Sequence, residues 1–214
     1  MARPPLASEP PPEPEDRTAA ILDAALAVLK REGYAKTTML QIATEASASK
    51  ATLYSHFENK QALFAALVQH AAGGANERLK AALEQATDVE RTLSEFGFGL
   101  LMLLTGDTSI SLNRAAATEA LRTPELGQTL FVNGRQSTGR LVMRFLQRAH
   151  DEGQLHFDSA EESFETLLGL LLGDLQVRML IGAASRPGEK TLQQRAQRAV
   201  AQFMRLYGTG QPKR

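Results

Sequence analysis

Residues 37–60 read TTMLQIATEASASKATLYSHFENK, and this stretch constrains the fold more than any other part of the chain. Thr38 with Gln41 three residues on forms a capping box, in which the hydroxyl accepts from a free backbone N–H and the glutamine side chain reaches back. The helix that follows has Met39, Ile42, Ala43 and Ala46 on its inward face. Ser47 and Ala48 make a tight turn, and Ser49 is placed to cap a second short helix running through Phe57. The spacing predicts two short helices set against each other, a helix-turn-helix.

The second helix divides its residues by face. At about 100° per residue, Leu53 and Phe57 fall together and point inward. Ala51 and Ser55 then point outward, flanked by Thr52 and Tyr54, with Lys50 and His56 nearer the edges. Small and hydroxyl side chains on an outward face let a helix approach base edges, and alanine or threonine methyls can meet thymine methyls. Edge hydroxyls, lysine and histidine suit phosphate oxygens. Lys60, opening the next helix, lies beside free backbone N–H groups and reads as a phosphate anchor. Any one of these residues alone is an ordinary surface side chain of a helical hairpin. Together they predict a helix laid in the major groove of double-stranded DNA.

Composition bounds the remaining possibilities. The 214 residues, 43% of them hydrophobic, suffice for one large domain or for a small one fused to a larger. Cysteine is absent, which excludes disulfides, thiolate metal sites and cysteine nucleophiles. His56, His70, His150 and His156 are not paired at a ligand spacing, so neither metal nor cofactor is expected. Basic and acidic residues balance at 24 each, so any affinity for DNA must come from where the charges stand. No apolar run approaches the roughly 18 residues that span a bilayer, and the first residues lack a signal-peptide pattern. A cytoplasmic protein with no membrane partner is the expectation.

Along the chain, residues 1–16 hold six of the nine prolines and set Glu9, Glu13, Glu15 and Asp16 against Arg3. They read as a disordered acidic arm. From Arg17 onward the apolar residues recur at helical spacing, beginning with Ile21, Leu22, Ala25, Val28 and Leu29 and a stop at Gly33. The fold class is therefore all-α. The expected organisation is the arm at 1–16, a three-helix DNA-binding domain at 17–64, a larger helical bundle at 65–208 and a disordered tail at 209–214. Thr123-Pro124 reads as the start of a helix carrying Leu130, Phe131, Leu141, Val142 and Phe145. The last helix shows Leu192, Ala196, Val200, Phe203 and Leu206 inward.

At Thr38-Met39, Ile42-Ala43 and Leu53-Tyr54-Ser55-His56-Phe57-Glu58-Asn59-Lys60, the chain resembles the TetR/AcrR family of one-component transcriptional regulators. The likeness runs from Arg17 to about Val68. It implies phosphate contacts by Thr38, Ser49, Tyr54, His56 and Lys60, and base reading by Lys50, Ala51 and Thr52. One departure stands out: the family usually has glycine in the turn where this chain has Ser47. ATEALRTPEL, DEGQLHFD and FETLLGLLLGDLQVRMLIG look like the carboxy-terminal domain of AcrR-like members, although Thr123 stands where an aromatic is common. That likeness implies a bundle that binds a small-molecule effector and dimerises, the effector altering the spacing of two DNA-reading heads.

The residues of the bundle supply part of this on their own. Gly97 and Gly99 sit within an apolar helix, where glycine costs up to about 1 kcal/mol against alanine unless something approaches closely. Phe96, Gly97, Leu100, Met102, Asn113, Phe131 and Phe145 are the candidates for a mainly apolar pocket, with plain core packing as the other reading. Gly169 and Gly173, four apart among leucines, point to close helix pairing. With Leu168, Leu172, Gln176 and, from the last helix, Ala199 and Phe203, they are candidates for a two-fold four-helix interface, with burial inside one subunit as the other reading. No nucleophile with its base, metal set or phosphate-cradling loop is visible, so an enzyme is not expected. The expectation is a homodimeric regulator, a repressor released from a pseudopalindromic operator by a small hydrophobic or amphipathic effector. The alternative is a helical adaptor that binds proteins through the proline-rich arm.

Overall fold

The computed structural model describes residues 14–85 and 88–210, which fall into two compact units dividing between Leu63 and Phe64. The first is built on α1 (Pro14–Lys36), α2 (Met39–Glu45), α3 (Lys50–His56) and the first turn of α4 (Lys60–Gln85). The periodic stripe of α1 is its core: Ile21, Leu22, Ala25, Val28 and Leu29 are buried with Ile42, Ala43, Leu53 and Phe57. Gly33 breaks α1 with φ 75° and ψ 166°, a conformation that costs glycine little. The chain then takes one more turn, and the Thr37 N–H donates back to the Gly33 and Tyr34 carbonyls.

The second unit comprises the rest of α4, then α5 (Val89–Leu104), α6 (Asp107–Glu119), α7 (Glu125–Leu130), a π-helical segment (Phe131–Gln136), α8 (Ser137–Asp151), α9 (Ala160–Leu172), α10 (Leu175–Leu180) and α11 (Glu189–Tyr207). No strand is found among the described residues, only an antiparallel bridge between Leu155 and Gly208. The core lies where α5, α9 and α11 meet, with Leu93, Leu101, Leu167, Leu171, Leu192, Ala196, Val200 and Phe203 fully buried. A Cβ on Gly97 would stand 2.7 Å from Leu171 Cδ2 and 3.5 Å from Ala196 Cβ. Glycine there admits the neighbouring helices rather than a ligand.

Basic side chains close several helix ends. Arg195 donates to the Leu171 and Leu172 carbonyls of α9, Arg114 to Met179 and Leu180 of α10, and Arg148 to Leu83 of α4. The last carbonyls of a helix lack intrahelical donors and carry partial negative charge, so a cation satisfies both needs. The even charge balance thus includes cations already engaged by backbone carbonyls.

Several expectations are corrected here. Pro14 to Asp16 belong to α1, so the helix begins inside the stretch read as an arm; proline is tolerated in a first turn because its missing N–H has no intrahelical partner. The remainder of the arm, and residues 211–214, lie outside the described residues. Thr209 is tied down by donating to the Gln154 and Gly153 carbonyls, so the tail does not begin there. The helix read from Thr123 is two α-helices around a π-helical segment. Leu206 is exposed rather than inward.

The interface candidates change most. Ala199 and Phe203 are 2% and 0% exposed, on the side of α11 that packs against α5 and α9, so neither is available to a second chain. Gly173 ends α9 with φ 47°, close enough to Arg195 that a Cβ would lie 2.9 Å from its Nη2. Its role is to let that guanidinium reach the carbonyls.

Candidate nucleic-acid interface and small-molecule cavity

The turn between α2 and α3 is built by its hydrogen bonds. The Ala48 N–H donates to the Ala43 carbonyl at 2.9 Å and the Ser47 N–H to Thr44 at 3.1 Å, the paired bonds of a Schellman motif. That motif needs a left-handed residue just past the cap, and Ser47 fills it at φ 48°. It is the one residue other than glycine with positive φ among the described residues. The Arg17 guanidinium donates to the Ser47 carbonyl at 3.0 Å, tying α1 to the turn.

Both flanking caps form as the spacing predicts. The Gln41 N–H donates to Thr38 Oγ1 at 3.2 Å while the Thr38 N–H donates to Gln41 Oε1 at 2.9 Å. The Thr52 N–H donates to Ser49 Oγ at 3.0 Å, and the two hydroxyls lie 2.8 Å apart. Leu53, fully buried, and Phe57 hold α3 on the unit. Thr38, Ser49, Lys50, Ala51, Tyr54 and Ser55 are exposed, and Thr52 and His56 are half-buried. Lys50 Nζ lies 5.7 Å from the centre of the Tyr54 ring, so a cation and an aromatic hydroxyl share one edge of the helix.

Two residues read as phosphate contacts also have work inside the unit. His56 Nδ1 lies 3.2 Å from Thr18 Oγ1 and ties the end of α3 to α1. The Lys60 ammonium donates to the Tyr34 carbonyl at 2.8 Å and to Thr37 at 3.0 Å, and sits 4.2 Å from the centre of the Tyr34 ring. It closes the end of α1 as the arginines close theirs. On the same surface, Arg31 pairs with Glu45 at 3.0 Å and Glu32 at 3.1 Å, and the two carboxylates, Glu45 first, push its pKa up. The pair is exposed, so its contribution to stability is small.

The second unit holds a cavity of about 590 Å³ that is partly open to its surroundings. Its walls come from Val68, Ala71 and Ala72 of α4, Leu100, Leu103 and Leu104 of α5, residues between Ser109 and Ala120 along α6, and residues between Gly127 and Thr138, closed by residues of α9 and α10. Of the expected pocket residues, Leu100, Asn113 and Phe131 line it. Phe96, Gly97 and Phe145 do not: they are buried in the α5, α9 and α11 core. Met102 lies on another side of α5, where its carbonyl and sulfur accept from Arg186. Leu168, Leu172 and Gln176, read as interface residues, also line this cavity.

The first unit carries a capped helix-turn-helix and the second a helical bundle with a cavity, and known proteins resemble both. The family described as bacterial regulatory proteins, tetR family, matches residues 21–67, and that of the AefR-like transcriptional repressor, C-terminal domain, matches residues 91–209. The chain belongs to the TetR family. Like that family's members it is a DNA-binding regulator of transcription, not an enzyme. An uncharacterised HTH-type transcriptional regulator of Bacillus subtilis, YvkB, is 29% identical over 180 residues, covering 81% of this chain and 89% of that protein. A TetR transcriptional regulator from Agrobacterium tumefaciens is 33% identical, with a TM-score of 0.74 over 92% of this chain and 96% of that one. The flavonoid-responsive regulator FrrA is 26% identical, with a TM-score of 0.70 over 92% of this chain and all of that one.

Sequence reasoning missed several residues of this TetR-family protein. Leu40, 65% exposed beside the α2 cap, and Arg17 went unremarked, since neither belongs to an inward stripe. In the cavity, Gly127, Leu130, Gly134, Arg135 and Thr138 join the expected Phe131 at intervals of three or four, a pattern that marks one helical face. A wheel drawn over 127–138 finds them. No helix among the described residues is long and apolar enough to cross a membrane.

Proposed function

We propose that this regulator is a homodimeric cytoplasmic repressor, whose two heads occupy matched half-sites of a pseudopalindromic operator until a small apolar or amphipathic molecule enters the bundle and releases it. The observation that carries the reading is the division of α3, with Leu53 and Phe57 buried while Lys50, Ala51, Tyr54 and Ser55 stand exposed on one side. Ala51, Thr52 and Ser55 read bases, Lys50 and Tyr54 grip phosphates, and Thr38 and Ser49 contact the backbone beside them. Lys60 and His56 act chiefly by holding α3 and α4 in position. The effector half rests on the cavity and on the responsiveness that FrrA's name records. Val68, Ala71 and Ala72 of α4 line the cavity, so a ligand there touches α4.

A dimer is supported by what α9 to α11 leave uncovered. Gly169, Val177, Ile181 and Leu206 are exposed, the last three being 58%, 73% and 63% accessible. Selection of bound sequences from a random DNA pool tests the reading. The expected result is one enriched palindrome with half-sites a helical turn or a multiple apart. Enrichment of no sequence, or of an unpaired half-site by a protein that sediments as a monomer, defeats it.

A further inference from the structure

The cavity has a chemical polarity that the effector reading alone does not use. Its walls are leucine, alanine, valine and phenylalanine, with Ser109, Asn113, Thr138 and Gln176 as neutral polar groups. Asn113 donates to the Ser109 carbonyl and Gln176 to that of Leu104, so both have side-chain donors turned to backbone. Among the described lining residues, Arg135 alone carries a formal charge, and no carboxylate lines the space.

Arg135 is placed by the π-helical segment. Phe131, Gly134 and Arg135 all come from that segment and all line the cavity. Short π-helical turns occur frequently at functional sites, where they change which side chains share a face. The guanidinium carbon lies 5.5 Å from the Phe131 ring centre and 5.9 Å from that of Phe164, so two lining aromatics set the orientation of the fork. Its present partner is Glu165, 3.0 Å away. The Arg135 and Glu165 side chains are 39% and 55% exposed, so water already serves this pair on both sides and the interaction is weak. A second anion arriving from the cavity meets a guanidinium with several donors and little to lose by turning.

We propose, resting on the effector reading above, that the ligand is an amphipathic organic acid: an apolar body fills the cavity and a carboxylate at its end is held by Arg135 in a paired, charge-assisted hydrogen bond. An organic cation is disfavoured, because it meets Arg135 with no lining acid to offset the repulsion. Glu165 is the built-in competitor for the same guanidinium.

A matched ten-carbon set tests this: decanoate, 1-decanol and decylammonium at neutral pH, each well below its micelle concentration. The chain contains no tryptophan. Ala117→Trp, at an exposed position on the cavity wall, therefore gives a single emission that reports occupancy of this site in the full-length protein. Decanoate is expected to bind about tenfold tighter than decanol, and decylammonium weakest. Arg135→Gln should bring decanoate down to the level of decanol without changing decanol. Glu165→Gln should tighten decanoate several-fold and leave decanol alone. If all three probes bind without preference for the acid, or if Arg135→Gln keeps the preference, the acid assignment falls while the effector reading stands. If none of them shifts the tryptophan emission, the cavity itself is not an effector site, and both readings fall together.

Discussion

The two units differ in how their structure is held. In the head, the decisive features are local: a capping box at Thr38 and Gln41, a Schellman turn at Ser47, an N-cap at Ser49, and two inward side chains four apart. In the bundle they are distant: Gly97 against Leu171, Arg114 against the end of α10, Arg195 against the end of α9. A local feature is written in a few consecutive residues, whereas a distant one depends on which helix lies opposite. The head can therefore be read residue by residue and the bundle only as an ensemble of stripes.

The largest expected effect tests whether the local frame of the head depends on its buried anchor. Leu53 is fully buried, and Leu53→Ala should cost about 2–5 kcal/mol in denaturant unfolding, with loss of operator binding. A loss under 1 kcal/mol means that the caps hold α3 without its apolar anchor. Next comes Lys60→Met, which keeps the length of the side chain and removes its charge. With two charge-assisted bonds to the end of α1 gone, stability should fall by about 1.5–3 kcal/mol. The salt dependence of DNA binding should stay unchanged if the lysine is a clamp. A drop of about one in the log–log slope at undiminished stability makes it a phosphate contact instead.

Gly97→Val gives the corresponding test in the bundle. Its new Cβ collides with Leu171 Cδ2 in a fully buried core, and overpacking of this kind costs about 1–3 kcal/mol. Effector binding should survive at the remaining folded fraction, because Gly97 does not line the cavity. Selective loss of ligand affinity with normal stability returns Gly97 to the pocket.

The same contrast explains what was legible. The all-α class, the two short helices and the inward pair Leu53 and Phe57 follow from spacing and caps, and the structure has them. The cavity was legible only in part. Leu100, Asn113 and Phe131 line it, yet Phe96, four residues before Leu100 and on the same face of α5, does not, because a shared face does not tell how far along the helix the cavity reaches. Leucines and glycines of α9 read equally well as a surface for a second chain or as a wall. Leu168 and Leu172 line the cavity together with residues of the 127–138 stretch. Nor is a π-helical turn announced by residues 131–136, although Arg135 lies within it. Periodicity tells which side of a helix is covered, not by what.

The smallest effect falls on the residue where this chain departs from its family. Ser47 adopts φ 48° because the Schellman bonds from Ala48 and Ser47 require it, and a side chain there strains against the backbone. Glycine relieves that strain but also loosens the unfolded chain, so the two terms partly cancel. Ser47→Gly should therefore be neutral or stabilising by up to about 1 kcal/mol. The Arg17 bond is to the Ser47 carbonyl, which glycine retains, so the tie from α1 to the turn survives the change. A thermal melt of the full-length variant decides the matter. A clear fall in melting temperature would mean that the Ser47 hydroxyl stabilises the turn by more than the left-handed backbone costs, and that the head is held there by its side chain rather than by its backbone alone.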